Sequence, residues 1–258
     1  MSLFSLTGKV VVITGATRGI GQGMAIGLAE AGAELIIVHR KSTDPSSTVE
    51  QVKSKGVNVS TVIADVLIDS EVDTILTQSL SKSSTGKIDV LINNAGIYNE
   101  QSPAEDSTDE TWEKVLQVNI TSVYKLSRSF GKYWISNKQK GKIINTASLF
   151  SFIGGQEVIA YTASKGAIRS LTQGLSNEWA SKGINVNSIV PGFIITDMTA
   201  HAHANEDQTK YNKILERIPQ GKWGKPEDFK GPIVFLSSEA SDYVTGDSLF
   251  VDGGFLAN

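Results

Sequence analysis

The chain has 258 residues, 40% hydrophobic and 20% charged, with a formal net charge of −3. That length and balance predict one globular domain built around a single sheet. A mild acidic excess offers nothing to attract nucleic acid or an anionic membrane. Cysteine is absent, which excludes disulfides, thiolate chemistry and cysteine metal sites and fits a reducing compartment. The opening MSLFSLTGKVVVIT has no signal-peptide pattern, and no apolar run approaches the ~20 residues that span a bilayer. A soluble, cytoplasmic protein is expected.

In chain order, Lys9–Gly15 (KVVVITG) is continuously apolar, as a strand buried on both faces should be. The next residues carry apolar side chains at helical spacing and stop at Gly32. Ala33–Arg40 is the second strand, Ser47–Gly56 a helix and Asn58–Val66 the third strand, followed by an amphipathic stretch to about Gly86. Lys87–Gly96 is a fourth strand. Thr108 is a plausible N-cap for a long helix through Phe130, and Gly141–Ser148 is a fifth strand. Ala160–Gly183 reads as a helix, Ile184–Gly192 as a sixth strand and Asp247–Gly254 as a short last one.

Strands alternating with helices predict an α/β fold: a doubly wound parallel sheet of about seven strands, covered by helices on both faces. Residues 1–258 form a single domain on this reading, without repeat or linker. Two stretches break the rhythm, Phe150–Val158 and Thr196–Pro226. Both follow candidate strands, where ligands bind in open α/β sheets, so both are candidate substrate loops; the second, 196–226, is the candidate lid.

Thr14–Gly21 (TGATRGIG) joins the first strand to the first helix. Gly15 suits the tight turn, Gly19 lets backbone approach a phosphate, and Gly21 permits close helix–strand packing. The helix N-terminus then offers free N–H groups to a pyrophosphate. At the end of the second strand an acid would bind adenosine ribose hydroxyls and repel a 2′-phosphate. Here stand His39, Arg40 and Lys41, with Arg18 inside the glycine turn. Guanidinium matches phosphate, so NADP is preferred and NAD possible; the alternative is two cations merely solvated at a strand end.

Tyr161 and Lys165 lie four apart in AYTASKGA, on one face of a helix. They are either a shielded surface pair or a phenol held beside an ammonium. The ordered set of TGATRGIG, NNAG at Asn93–Gly96, Ser148, YTASK at Tyr161–Lys165, PGFIITDM and VDGG resembles the short-chain dehydrogenase/reductase family over essentially the whole chain. The resemblance implies a Rossmann fold and NAD(P)-dependent interconversion of a ketone and a secondary alcohol. It makes Tyr161 the general acid/base, with a phenol whose ordinary pKa of about 10 is brought down by nearby positive charge. Lys165 would tune that phenol and bind the nicotinamide ribose, and Ser148 would hold the substrate oxygen. Asn119 matches the family asparagine whose helix distortion keeps a proton-relay water; an ordinary helix-interior asparagine is the alternative.

The resemblance further implies that Thr17 and Ile20 belong to the phosphate turn and that Asp65 and Val66 contact adenine, although Asp65 would equally suit a cap. Asn93, Ala95 and Gly96 would line the cofactor groove. Ile194 and Thr196 would hold the carboxamide, with Pro191 and Gly192 making the turn. No metal is expected: His201 and His203 have no organised partners and read as lid residues. Trp112, Trp134 and Trp179 are expected to pack, and Trp223 to be a structural hinge of the lid.

Several stretches, among them SNEWASKGINVNSIVPGF and VDGGFLA, resemble the sugar-acid branch, the 2-deoxygluconate or 2-dehydro-3-deoxygluconate dehydrogenases. The substrate is then a carbonyl compound or keto sugar acid. Tyr98, Asn99, Gln156 and Glu157 would favour a polyhydroxylated substrate; Phe150, Phe152 and Phe193 would favour bulky apolar ketones. The alternatives are an NAD-dependent sugar-acid dehydrogenase or an idle nucleotide sensor, although the sensor would not need Ser148, Tyr161 and Lys165 together. A homotetramer or homodimer is implied.

Overall fold

The computed structural model describes residues 3–99, 101–200 and 209–257. Its strands are β1 (Val10–Thr14), β2 (Glu34–His39), β3 (Val59–Ile63), β4 (Val90–Asn93), β5 (Gly141–Thr146), β6 (Ile184–Pro191) and β7 (Ser248–Val251). They form one parallel sheet in the order β3-β2-β1-β4-β5-β6-β7. The winding reverses between β1 and β4, so the crevice beyond their carboxyl ends is the expected ligand position.

Alternation along each central strand feeds two cores. Val11 and Ile13 of β1, with Leu35 and Ile37 of β2 and Ile92 of β4, face one layer. Val10, Val12, Ile36, Val38 and Leu91 face the other. The first layer is covered by α1 (Gly19–Glu30) through Met24, Ala25 and Leu28. The second is covered by α6 (Ser122–Ser136), whose Leu126, Phe130 and Trp134 recur at helical spacing. A sheet apolar on both faces has no solvated side, which explains the unbroken apolar run of β1.

The expected elements form, with three differences. The amphipathic stretch before Gly86 breaks into α3 (Asp69–Val72) and α4 (Ile75–Lys82). The long helix beginning at Thr108 forms as α5 (Asp109–Leu116), capped by the Thr108 side chain accepting from the Thr111 N–H, and then passes through a π-helical segment, Gln117–Thr121, into α6. Between β6 and β7 the chain adds α8 (Thr209–Leu215) and α9 (Lys230–Ser237). Gly231 and Pro232 fall in the first turn of α9, where proline is tolerated. The intervening helix, α7 (Ile159–Trp179), lies where it is expected, and α2 spans Ser46–Lys53.

Trp134 is fully buried and its indole N–H donates to the Ile88 carbonyl at 2.7 Å. Trp179 packs near Gly131, and Trp223 is buried in a small cluster with Leu149, Ile218 and Phe255. Trp112 departs from expectation: it is 38% exposed on α5, so it does not belong to the core.

Candidate active site

The glycine turn sits at the reversal point. Gly15 and Gly19 take φ of 68° and 57°, left-handed values that strain any side chain. A Cβ on Gly15 would stand 2.8 Å from the Ala95 Cα, and one on Gly21 would run into the Gly15 carbonyl and the Asn94 amide. Asn94 holds the turn: its Nδ2 donates to the Thr14 and Gly15 carbonyls at 3.0 and 2.9 Å, while its own N–H donates to the Thr14 hydroxyl at 3.0 Å. The N-terminus of α1 has no side-chain cap and no acid in its first turn, so its N–H groups remain available to an anion. Thr17 and Ile20 are half-buried beside it, Ile20 against the core. This cradle fits the pyrophosphate of a dinucleotide.

Asn94, which sequence reasoning passed over, takes the place expected of Asn93. The Asn93 side chain is turned inward, donating to Ser127 Oγ at 3.1 Å and Asn145 Oδ1 at 2.9 Å. Any contact from Asn93 to a cofactor would come from its backbone. Two neighbouring asparagines at a strand end point to opposite faces, and nothing in NNAG says which is which.

At the end of β2, His39 is buried, with Nδ1 at 3.0 Å from the Arg40 carbonyl and 3.2 Å from that of Thr43. Carbonyls only accept, so Nδ1 carries the hydrogen and ties the 40–43 turn. Arg40 and Lys41 extend from that turn into solvent. His39 therefore shapes the turn that carries Arg40 and Lys41. Asp65 behaves partly as a cap, its carboxylate accepting from the Leu67 N–H at 2.9 Å, and Val66 is core.

The reactive end is drawn from β5, the π segment and α7. Ser148 follows β5, and its hydroxyl accepts from the Phe150 N–H at 3.2 Å beside the Tyr161 phenol, whose pKa it lowers. Lys165 is 4% exposed, donates to the Thr146 carbonyl at 2.7 Å and lies 5.7 Å from the Tyr161 ring centroid. Burial pushes the phenol up to about 12, against the Ser148 hydroxyl, which lowers it, and Tyr98 nearby, which raises it. Burial brings the Lys165 ammonium down to about 8. The free protein thus presents Tyr161 as a protonated acid at neutrality.

Asn119 is fully buried inside the π segment. Its side chain accepts from the Ile97 N–H at 2.9 Å and donates to the Ile97 carbonyl at 2.9 Å and Ser164 Oγ at 3.1 Å. It is no ordinary helix-interior asparagine: it pins the irregular segment following NNAG to the π segment and α7. A Cβ on Gly96 would meet Asn119 Oδ1 at 3.4 Å and Lys165 Nζ at 3.7 Å, so glycine keeps this corner open.

Two aromatic rings flank Tyr161, Tyr98 at 4.9 Å and Phe150 at 6.0 Å between centroids. Phe152 instead packs on Phe250 and Arg169, and Phe193 on Trp223 and Phe255; neither stands with Phe150 at the phenol. Asn99 donates from Nδ2 to the Glu157 carbonyl at 3.5 Å. Glu157 has φ 62°, left-handed for a non-glycine residue, and its side chain and that of Gln156 are exposed at the rim. Ile194 is buried, its carbonyl accepting from the Thr199 hydroxyl at 2.7 Å, and Pro191 and Gly192 close β6, Gly192 donating to the Val251 carbonyl at 2.9 Å. Thr196 lies over Gly19. Cavities of about 310 Å³ beside Glu34 and Lys82 and about 340 Å³ beside Lys222 and Phe250 touch neither Tyr161 nor the glycine turn. Among the described residues no cluster of three metal-binding side chains occurs; His201 and His203 lie outside them.

A family model described as enoyl-(acyl carrier protein) reductase matches residues 15–256. The chain is a short-chain dehydrogenase/reductase. This short-chain dehydrogenase/reductase is 48% identical to a 2-dehydro-3-deoxy-D-gluconate 5-dehydrogenase of Pseudoalteromonas atlantica, covering 98% of both chains. It is 44% identical to the enzyme of that name from Dickeya dadantii, over 100% of this chain and 99% of the other. Among solved structures, a candidate 2-deoxy-D-gluconate 3-dehydrogenase from Agrobacterium tumefaciens with bound NADP matches with TM-score 0.92 and 41% identity over the whole of both chains. A gluconate 5-dehydrogenase of Burkholderia cenocepacia in complex with NADP and tartrate matches with TM-score 0.91 and 33% identity over 99% and 98% of the chains. This short-chain dehydrogenase/reductase is accordingly an NAD(P)-dependent oxidoreductase that interconverts CH–OH and C=O groups. Among its described residues no helix is long and apolar enough to cross a membrane.

Proposed function

We propose that the enzyme acts on a keto sugar acid or its hydroxy counterpart, with NADP(H) as preferred cofactor. The observation that carries this reading is the buried Lys165 ammonium 5.7 Å from the Tyr161 ring centroid, with Ser148 beside the phenol, next to a glycine cradle. When bound, the nicotinamide supplies or accepts the hydride. Gly15, Thr17, Gly19, Ile20 and Gly21 would hold the pyrophosphate end, Arg18, Arg40 and Lys41 the 2′-phosphate, and Asp65 and Val66 the adenine. Ala95, Gly96, the Asn93 backbone, Pro191, Gly192, Ile194 and Thr196 complete the groove.

Ser148 orients the substrate oxygen, and Tyr161 gives it a proton in reduction or takes one in oxidation. A phenol held near 12 keeps its proton at neutrality, and positive charge must lower it for ready transfer in either direction. Lys165 supplies part of that charge and orients the ribose. Asn119 fixes the helix distortion from which a proton relay would run. Exposed Gln156 and Glu157 meet substrate hydroxyls, where a polar site rejects analogues that lack them. Residues 196–226 act as the substrate lid on one domain spanning 1–258, and the enzyme works in the cytoplasm as a homotetramer. The relatives' sugar-acid activities and the NADP bound in two structural neighbours support this reading. The aromatic walls of Tyr98 and Phe150 favour a second reading, a broader carbonyl reductase.

The test follows NADPH and NADH absorbance against keto sugar acids, α-diketones, β-keto esters and aryl ketones. Turnover of a keto sugar acid that prefers NADPH and disappears in Tyr161→Phe is expected. Preference for aryl ketones would overturn the sugar-acid reading, and faster NADH use the cofactor reading.

A further inference from the structure

Arg18 is the cation of the glycine turn, and its guanidinium is already engaged. Nη1 lies 3.2 Å from Asp197 Oδ2, both side chains being largely exposed. Asp197 opens a short turn, Asp197–Thr199, that is closed by its own hydrogen bonds. The Thr196 N–H donates to the Thr199 hydroxyl at 3.1 Å, and that hydroxyl donates to the Ile194 carbonyl at 2.7 Å. Thr196 in turn seats on the glycine turn, since a Cβ on Gly19 would meet its methyl at 3.5 Å. The carboxylate is therefore presented to Arg18 from a preformed element at the mouth of the cofactor groove.

We infer that Asp197 is a cofactor-specificity residue: its carboxylate competes with the adenosine 2′-phosphate for Arg18 and so lowers the preference for NADP(H) over NAD(H). This rests on the proposed dinucleotide reading of the glycine turn. An unphosphorylated adenosine ribose carries no charge to draw Arg18 away, so the pair stays intact with NAD(H). A phosphate accepts bidentate bonds from guanidinium and outcompetes one exposed carboxylate. Exposed ion pairs contribute up to about 1 kcal/mol, so the competition tunes the preference and does not reverse it. Arg40 and Lys41, on a turn of their own, then carry the larger share of 2′-phosphate recognition.

Calorimetric titration of NADPH and NADH into the full chain tests this without turnover, using Asp197→Asn, Asp197→Ser, Arg18→Ala and the double variant. Removing the carboxylate should tighten NADPH by about two- to fivefold and leave NADH unchanged. The gain should vanish in the Arg18→Ala background and shrink at about 0.5 M salt. Unchanged NADPH affinity, a gain that survives Arg18→Ala, or equal weakening of both nucleotides would overturn the inference; the last would make the pair a clasp for the lid turn. If the wild type bound neither nucleotide, the dinucleotide reading would fall first and the inference with it.

Discussion

Replacing Lys165 by methionine should abolish activity and yet stabilise the protein. The lysine is 4% exposed and burial brings it down to about 8 from an ordinary 10.5. At pH 7 it is charged both folded and unfolded, so the shift measures what the fold loses by burying the charge: about 3 kcal/mol at ~1.4 kcal/mol per unit. Methionine removes that cost but leaves the Thr146 carbonyl without the donor now 2.7 Å away, a loss of about 1–2 kcal/mol. The net expectation is a gain of about 1–2 kcal/mol, or roughly 2–8 °C in melting temperature for a chain of this size.

The pH dependence separates this from a simple packing gain. A lysine with a depressed folded pKa destabilises fully below about 8. Above it the folded protein sheds the proton while the unfolded chain keeps it, so wild-type stability climbs toward pH 10.5. The advantage of Lys165→Met should therefore fall by about 2–3 kcal/mol from pH 7 to 10, disappearing or turning into a deficit at the alkaline end. Urea unfolding of both proteins at matched concentration, at intervals across that range, provides the measurement. An advantage independent of pH, or a variant less stable than wild type at pH 7, would refute the argument that the ammonium is buried at a cost.

Asn119→Ala leaves both polar groups of Ile97 and the Ser164 hydroxyl short of a partner; a loss of about 2–4 kcal/mol in urea unfolding is expected, with faster amide exchange around Ile97. Gly21→Ala places a Cβ on the Gly15 carbonyl and Asn94 amide, and NADPH affinity by calorimetry should fall at least about tenfold. Trp134→Phe removes the indole donor from the Ile88 carbonyl and should cost about 1–3 kcal/mol in the same unfolding assay, with no change in KM.

What was legible was whatever depends on neighbours in the chain. The apolar run of β1, the left-handed glycines after it and the one-turn spacing of Tyr161 and Lys165 are local facts, and the structure keeps all three. What was not legible depends on residues far apart or on facing. The Asp197 partner of Arg18 is carried by the short turn after β6, so no local pattern announces it. His39 stands where an acid was sought, and only the 40–43 turn reveals that its imidazole is structural. The break between α3 and α4 falls inside one amphipathic stretch that has no glycine or proline to mark it.

The π segment at Gln117–Thr121 means that the route from Thr108 to Ser136 is one residue longer than a regular helix needs. Each residue turns a helix by about 100°, so the surplus sets the phase between what lies before it and what lies after. Deleting any one residue there would heal the helix and rotate either Asn119 away from Ile97 or the Leu126, Phe130 and Trp134 stripe away from the sheet. In this stretch the length of the chain is the constrained quantity, so substitutions at its exposed positions should be borne far better than a single-residue deletion.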